Sequence, residues 1–376
     1  MAIIGAVEDT KPIREHARVG DIKSEHIRLQ LADLLEEHKD LNATHAFDIG
    51  LWKGVELEIP TVPDATPVRC KPYTTNPRNQ EHIDQTIREW LDAGICEPAQ
   101  EGDWMSPVIV VTQGGGKKRC CLDLRPVNHR STTLTFPLPR IHDILKALSG
   151  STVFSAFDLR AAYMHVPIAK KDRYKTGFVT KKGSYRLRRM GFGFKNAPAV
   201  FQRAMQTAFG DISGVHIYLD DMIVASADEA SHLRTLREVF KRLKSNNLKV
   251  NLGKCAFYQQ KLKWLGHEVS VDGIGPDPEY VGKVLAVKRP ADPAALGRFM
   301  GMVAWLARFI PDLALWPALC THSPRKVPNG SGRTLRRPRS KLSDPRSCTT
   351  KCCAIPTRTR PSRSYVTLPT WLPAAY

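Results

Sequence analysis

Midway along the chain an apolar, β-prone run is broken by an acidic pair: Val215-His216-Ile217-Tyr218 and Met222-Ile223-Val224-Ala225 flank Leu219-Asp220-Asp221. Two such runs around a polar break predict a β-hairpin with a tight turn. The same kind of reading places other elements. Ile27, Leu29, Leu31, Leu34 and Leu35 suggest one short amphipathic helix, followed by a Pro-rich stretch at Pro60, Pro63 and Pro67. Asn76 is a candidate N-cap with Pro77 at the first helical position, and Ile83, Ile87, Trp90 and Leu91 then form an apolar face that ends at Gly94. Val108 to Thr112 and Arg119 to Leu124 are expected strands, joined through Gly114-Gly115-Gly116.

Further along, a helix is expected from Pro139 to Leu148 and a strand from Thr152 to Leu159, which delivers Asp158 at its end. Phe178-Val179 and Tyr185 to Leu187 suit a second hairpin turning at Lys181-Lys182-Gly183. Asn196 and Pro198 predict the start of a helix that Gly210 closes. After the acidic hairpin, Leu233, Leu236, Val239, Phe240 and Leu243 repeat at helical spacing, with basic residues on the other faces. This mixed order predicts an α+β fold, with helices packed on one face of an antiparallel sheet.

Composition narrows the class. With 376 residues and 42% hydrophobic content, the chain is long enough for two domains with real cores. Its formal charge of +19 points to a polyanionic partner, nucleic acid first. Residues 321 to 376 hold twelve Lys and Arg against the single acid Asp344, so this tail supplies +11 and the rest of the chain +8. Nine cysteines, without Cys-x-x-Cys or zinc-finger spacing, fit a reduced intracellular protein. No signal peptide is expected, and no apolar stretch approaches the roughly 18 residues of a membrane span.

Adjacent carboxylates repel, and enclosing them between apolar strands requires a compensating charge. The four residues Tyr218 to Asp221 alone fit either a metal-binding turn or a polar hairpin tip with two solvated aspartates. If Asp158 converges on them, three carboxylates around one or two magnesium ions would suit phosphoryl or nucleotidyl transfer, since hard oxygen ligands leave positions open for substrate phosphates.

These residues carry a family resemblance. Over about residues 45 to 315 the chain resembles the reverse transcriptases of LTR retrotransposons of the gypsy type. Ser155 to Tyr163, reading SAFDLRAAY, looks like the first catalytic motif of that family, and Tyr218-Leu219-Asp220-Asp221 its second. Met190 to Gln202, Arg119 to Asn128, Phe136 to Ile141 and Leu265-Gly266-His267 agree in order and spacing. The resemblance implies a right-hand polymerase fold and an RNA-directed DNA polymerase with a magnesium cofactor, or manganese in its place. The implied partners are an RNA or DNA template-primer duplex and deoxynucleoside triphosphates.

By the same resemblance Asp158, Asp220 and Asp221 are catalytic, and with Leu159 they form the metal site. Arg119 would grip the triphosphate, Tyr163 would crowd a ribose 2′ hydroxyl, Phe192 would line the nucleotide pocket and Lys254 would protonate the leaving pyrophosphate. Gln202 joins these as a substrate-binding residue. The implied layout is an N-terminal linker over residues 1–66, fingers and palm over 67–274, thumb and the start of the connection over 275–320, and a basic tail over 321–376.

The chain also departs from that pattern. Thr112-Gln113-Gly114-Gly115-Gly116 replaces a lysine-rich stretch, for which Lys117 and Lys118 would compensate; Gly191 stands in place of proline and Phe194 in place of leucine. Without its usual downstream neighbour, apolar surface is expected around Trp305, Leu306 and Trp316. The tail shows no periodic apolar face and cannot build a ribonuclease H site; it is either an out-of-frame product or a disordered basic segment that binds nucleic acid or acts as a nuclear signal. The competing functional reading is a relic that binds nucleic acid without catalysis.

Overall fold

The sheet that carries the acidic residues has five strands, in the order β1 (Arg18–Val19), β10 (Ala256–Gln259), β5 (Val153–Asp158), β9 (Asp221–Ser226) and β8 (Val215–Tyr218). The computed structural model describes residues 17–112, 114–116, 118–288 and 290–310. All pairings in this sheet are antiparallel except the parallel contact of β1 with β10. β5 sits in the middle, and Val153, Phe154, Ser155 and Phe157 are buried along it.

Behind the sheet packs helix Glu229–Ser245, whose Leu233, Leu236, Val239, Phe240 and Leu243 are buried as their spacing requires. Asp228 caps it by accepting a hydrogen bond from Ser231 N. Helix Ala197–Phe209 runs beside β8. Gly210 ends it, but Asn196 does not cap it as expected. The Asn196 side chain accepts from Leu134 N at 3.0 Å and donates to Thr132 O at 2.9 Å.

A second five-stranded sheet has the order β2 (Cys96–Pro98), β7 (Ser184–Leu187), β6 (Gly177–Val179), β3 (Ser106–Thr112) and β4 (Lys118–Leu122). Helix Pro77–Asp92 packs against it, capped by Asn76 and closed where Gly94 takes a φ of 64°. β4 stops at Leu122, short of the expected Leu124. The backbone turns there into the short helix Arg125–Arg130, with Pro126 in its first turn.

Residues 17–66 are not a linker. Leu31, Leu34 and Leu35 of helix Glu25–Glu37, together with Trp52, Leu57 and Ile59, belong to the same buried cluster as Phe157, Phe201 and Phe240. Between Ile59 and the short helical segment Lys170–Thr176 the clamp is polar. Asp172 accepts from Ile59 N at 3.0 Å, and Lys175 donates to Ile59 O at 2.6 Å and to Asp172 at 2.7 Å.

Both sheets lie in the first of two units, which runs to Leu265 and includes Val269–Val271; the second holds Gly266–Glu268 and continues from Asp272. In the second unit helices Pro278–Leu285 and Pro293–Trp305 are capped by Asp277 and Asp292, and Val284, Phe299, Val303, Leu306 and Ile310 form its core. Leu306 is therefore buried, against the expectation of exposure, whereas Trp305 is 44% exposed. Trp316, Gln113, Lys117 and the tail 321–376 lie outside the described residues. Among the described residues no helix is long and apolar enough to cross a membrane, and Cys70, Cys96, Cys120, Cys121 and Cys255 are free thiols.

Candidate active site

The register of the first sheet brings the carboxylates together. Asp158, the last residue of β5, pairs directly with Asp221, the first of β9, and Asp221 in turn pairs with Tyr218 on β8. Directly opposed residues on neighbouring strands project from the same face. Asp220 stands one residue away at the exposed tip. Protein crowding pushes the Asp221 carboxyl up to about 6, with the charges of Asp220 and Asp158 adding to the effect, although Asp221 keeps solvent access on its outer side.

The turn that holds Asp220 is constrained from below. Leu219 adopts a left-handed φ of 55°, unusual for a residue with a Cβ. Its N–H donates to Gln202 Oε1 at 2.6 Å, and Gln202 Nε2 donates to Ile217 O at 3.2 Å. Gln202 is 1% exposed, so it braces the turn from the protein interior and is not a substrate contact as expected.

Lys254 lies on the other side, its Nζ 3.6 Å from Asp158 Oδ2. Asp158 N is also held by the buried Cys255 sulfur at 3.4 Å, and Asp158 O accepts from Asn251 N at 2.8 Å. Burial pushes the Cys255 thiol up to about 12, which keeps it a neutral packing group. Leu159, expected beside the metal, has a buried side chain and bridges to Val250, so only its backbone could serve a ligand.

Tyr163 follows on a short turn, Ala162–His165, with its ring edge-on to Phe192 at 5.3 Å and to Phe201 at 5.1 Å. Burial, and then the charge of Asp220, push its phenol up to about 12. Phe192 is 53% exposed and forms the open wall of this aromatic group. Its loop is fastened by Asn128, which donates to Gly193 O at 2.7 Å and accepts from Lys195 N at 2.9 Å. Gly191 has room for a Cβ, with Leu187 Cδ1 at 3.5 Å, and Phe194 is 4% exposed in the core, so neither departure opens the fold.

Arg119 stands on the second sheet, exposed and registered against Val111. Its neighbour Cys120 points at Thr86 of the covering helix, with the sulfur 3.4 Å from Thr86 Oγ1, so alternation turns Arg119 to the opposite face. Near it Asp123, buried, accepts a bidentate pair from Arg125 and a bond from Tyr73; the Arg125 guanidinium chiefly holds its carboxyl down at about 2. The structure thus groups Asp158, Asp220, Asp221, Lys254, Tyr163 and Phe192, and leaves Arg119 on a separate sheet and Gln202 underneath.

Among the described residues no three His, Cys, Asp or Glu side chains form a metal cage by themselves. Magnesium does not need one, because it is commonly held by one or two carboxylates and completed by substrate phosphates and water. The paired Asp158 and Asp221, with burial first and like charge second driving Asp221 upward, are a donor set that a divalent cation would relieve.

Residues 112–269 match the family model described as reverse transcriptase (RNA-dependent DNA polymerase). The Tf2-3 and Tf2-7 transposon polyproteins of Schizosaccharomyces pombe are 31% and 30% identical over 287 residues, covering 75% of this chain and 21% of each relative. The chain thus spans about a fifth of the length of these relatives. A foamy viral protease-reverse transcriptase in complex with an RNA/DNA hybrid is similar over 82% of this chain and 41% of its own, with a TM-score of 0.72 and 24% identity. A second foamy viral structure, in complex with dsDNA, gives a TM-score of 0.72 and 25% identity over 82% of this chain and 64% of its own. The fold is that of the right-hand polymerases, and the stretch 112–269, which holds the paired aspartates, is similar to reverse transcriptase domains and to transposon polyproteins.

Proposed function

We propose that this chain is the RNA-directed DNA polymerase segment of a gypsy-type LTR retrotransposon polyprotein. It extends a primer 3′ hydroxyl with deoxynucleoside triphosphates on an RNA or DNA template. The observation that carries this reading is the direct pairing of Asp158 with Asp221, with Asp220 on the braced turn beside them. Asp158, Asp220 and Asp221, with the Leu159 backbone, would hold magnesium or manganese. Such ions, when bound, sharpen the attacking hydroxyl and neutralise developing phosphate charge.

The protein's own groups do the rest. Asp158 and Asp221 fix where positive charge collects, and Lys254, paired with Asp158, is placed to donate a proton to departing pyrophosphate. Tyr163 and Phe192 shape the wall against the sugar, and Arg119 reaches for the triphosphate with a fixed guanidinium fork. The partners are template-primer duplexes of the two kinds on which the foamy viral enzymes were solved. Free thiols suit action in the reducing interior of a cell.

The test is magnesium-dependent primer extension on an RNA template by the full chain, beside Asp158→Asn and Asp220→Asn. Extension that both variants abolish is the expected result. Duplex binding without extension in the unmodified chain would replace the polymerase with a nucleic-acid-binding relic.

A further inference from the structure

The segment between the first catalytic aspartate and the aromatic wall hangs on one buried histidine. After β5 the chain reverses at Ala161, which adopts a left-handed φ of 45°, and enters the turn Ala162–His165 that carries Tyr163. A non-glycine residue at such a φ holds only where its surroundings fix it. His165 is fully buried. Its Nε2 accepts from Lys249 N at 2.9 Å, its Nδ1 contacts Ala162 O at 3.1 Å, and its carbonyl accepts from Trp52 N at 2.8 Å.

The tautomer follows from the partners. A backbone N–H can only donate, so Nε2 carries the lone pair and Nδ1 carries the hydrogen that goes to Ala162 O. Burial, which holds the imidazole down at about 4, agrees with a neutral ring. The segment His165 grips is also the one that holds Asp158. Arg160 N donates to Lys249 O at 3.0 Å, Asn251 N to Asp158 O at 2.8 Å, and Lys254 N to Asn251 O at 2.9 Å. Residues 249–251 therefore tie three parts together: the exit of β5, the turn bearing Tyr163, and the loop that delivers Lys254.

We propose that His165 is a positioning residue for sugar selection: by bridging Ala162 O and Lys249 N it sets the Tyr163 ring at a fixed height relative to Asp158. This rests on the polymerase reading above. Tyr163 alone has its ring contacts with Phe192 and Phe201, but those fix the ring only once the turn beneath it is fixed. Removing the bridge frees the turn while leaving the carboxylates on their paired strands. The effect should fall on discrimination between deoxy- and ribonucleotides and not on duplex binding.

The experiment measures kcat/KM for a deoxynucleoside triphosphate and its ribonucleotide counterpart with the full chain, His165→Leu and His165→Gln. In the leucine variant the deoxy-to-ribo ratio should fall at least about tenfold with the template-primer Kd unchanged. Glutamine, whose amide oxygen can still accept from Lys249 N, should keep the ratio within about threefold. In a Tyr163→Val background His165→Leu should change the ratio no further, because the group it positions is gone. If the leucine variant does not fold, His165→Asn, too short to span to Lys249, takes its place with the same expectations. An unchanged ratio, an equal loss for both nucleotides, or a further fall in the Tyr163→Val background overturns the proposal while the polymerase reading stands. No extension by the unmodified chain overturns both.

Discussion

Replacing Gln202 by leucine isolates the brace under the acidic turn. Leucine is similar in bulk and apolar, but it leaves Leu219 N and Ile217 O without the partners they have at 2.6 and 3.2 Å. Each orphaned backbone group costs about 1–3 kcal/mol when it is cut off from water, which puts the loss of stability at about 2–6 kcal/mol. The left-handed Leu219 adds pressure in the same direction, since that conformation costs about 1–2 kcal/mol relative to a right-handed one. Relaxation of Leu219 moves Asp220, the next residue, and misplacement of a catalytic group by about 1 Å can cost about 10²-fold in rate. Gln202→Leu should therefore lower kcat by about that factor in single-turnover extension and reduce the urea midpoint, with the template-primer Kd unchanged. Gln202→Glu, when protonated, keeps both an acceptor for Leu219 N and a donor for Ile217 O, so it should retain more turnover than leucine, most of all at low pH. A Gln202→Leu protein that turns over normally, or one that loses duplex affinity instead of turnover, would refute the brace and return Gln202 to the substrate surface.

Two other consequences follow from buried polar groups. His165 and His232 are held neutral, each pushed down to about 4 chiefly by burial, whereas a free histidine titrates near 6.5. The unfolded chain then binds more protons than the folded one between these values, so their contribution is complete above about pH 6.5 and is lost as pH falls toward about 4. Urea midpoints measured across that window should drop steadily, and a flat profile would contradict neutral burial. Lys175→Met should destabilise by about 3–5 kcal/mol, because Asp172 would be left in the interior without its partner. Adding Asp172→Asn to that variant should restore much of the loss in the same unfolding measurement.

Much of the site was legible because its signals are local. The acidic break between Ile217 and Met222 forced a turn, and β-prone residues ending in Asp158 forced a strand edge. Distant register was not legible: nothing in the alternation of either strand says that Asp158 faces Asp221, and the family resemblance implied only that the three aspartates share one site; the pairing itself comes from the sheet. The role of Gln202 had a signal that went unread. With Met205 and Phe209 it lies on one buried stripe of helix Ala197–Phe209, and a polar side chain in such a stripe must find a buried partner. Asn196 misled for the opposite reason, since its side chain satisfies Leu134 and Thr132 across the fold in place of its own helix. The packing of residues 17–66 was hidden because Trp52, Leu57 and Ile59 show no period and become core only through contacts far away in sequence.

The parallel pairing of β1 with β10 bears on how the chain is made. Arg18 leaves the ribosome well before its partner Ala256, which is synthesised only after both catalytic motifs. At about 5–20 residues per second, the sheet stays incomplete for roughly 10–50 s of synthesis. During that time β5 lacks its β10 neighbour, and an uncovered strand edge invites pairing with another nascent chain. Completion of the palm is thus timed by translation, and contacts of such high sequence separation also make it slow to refold.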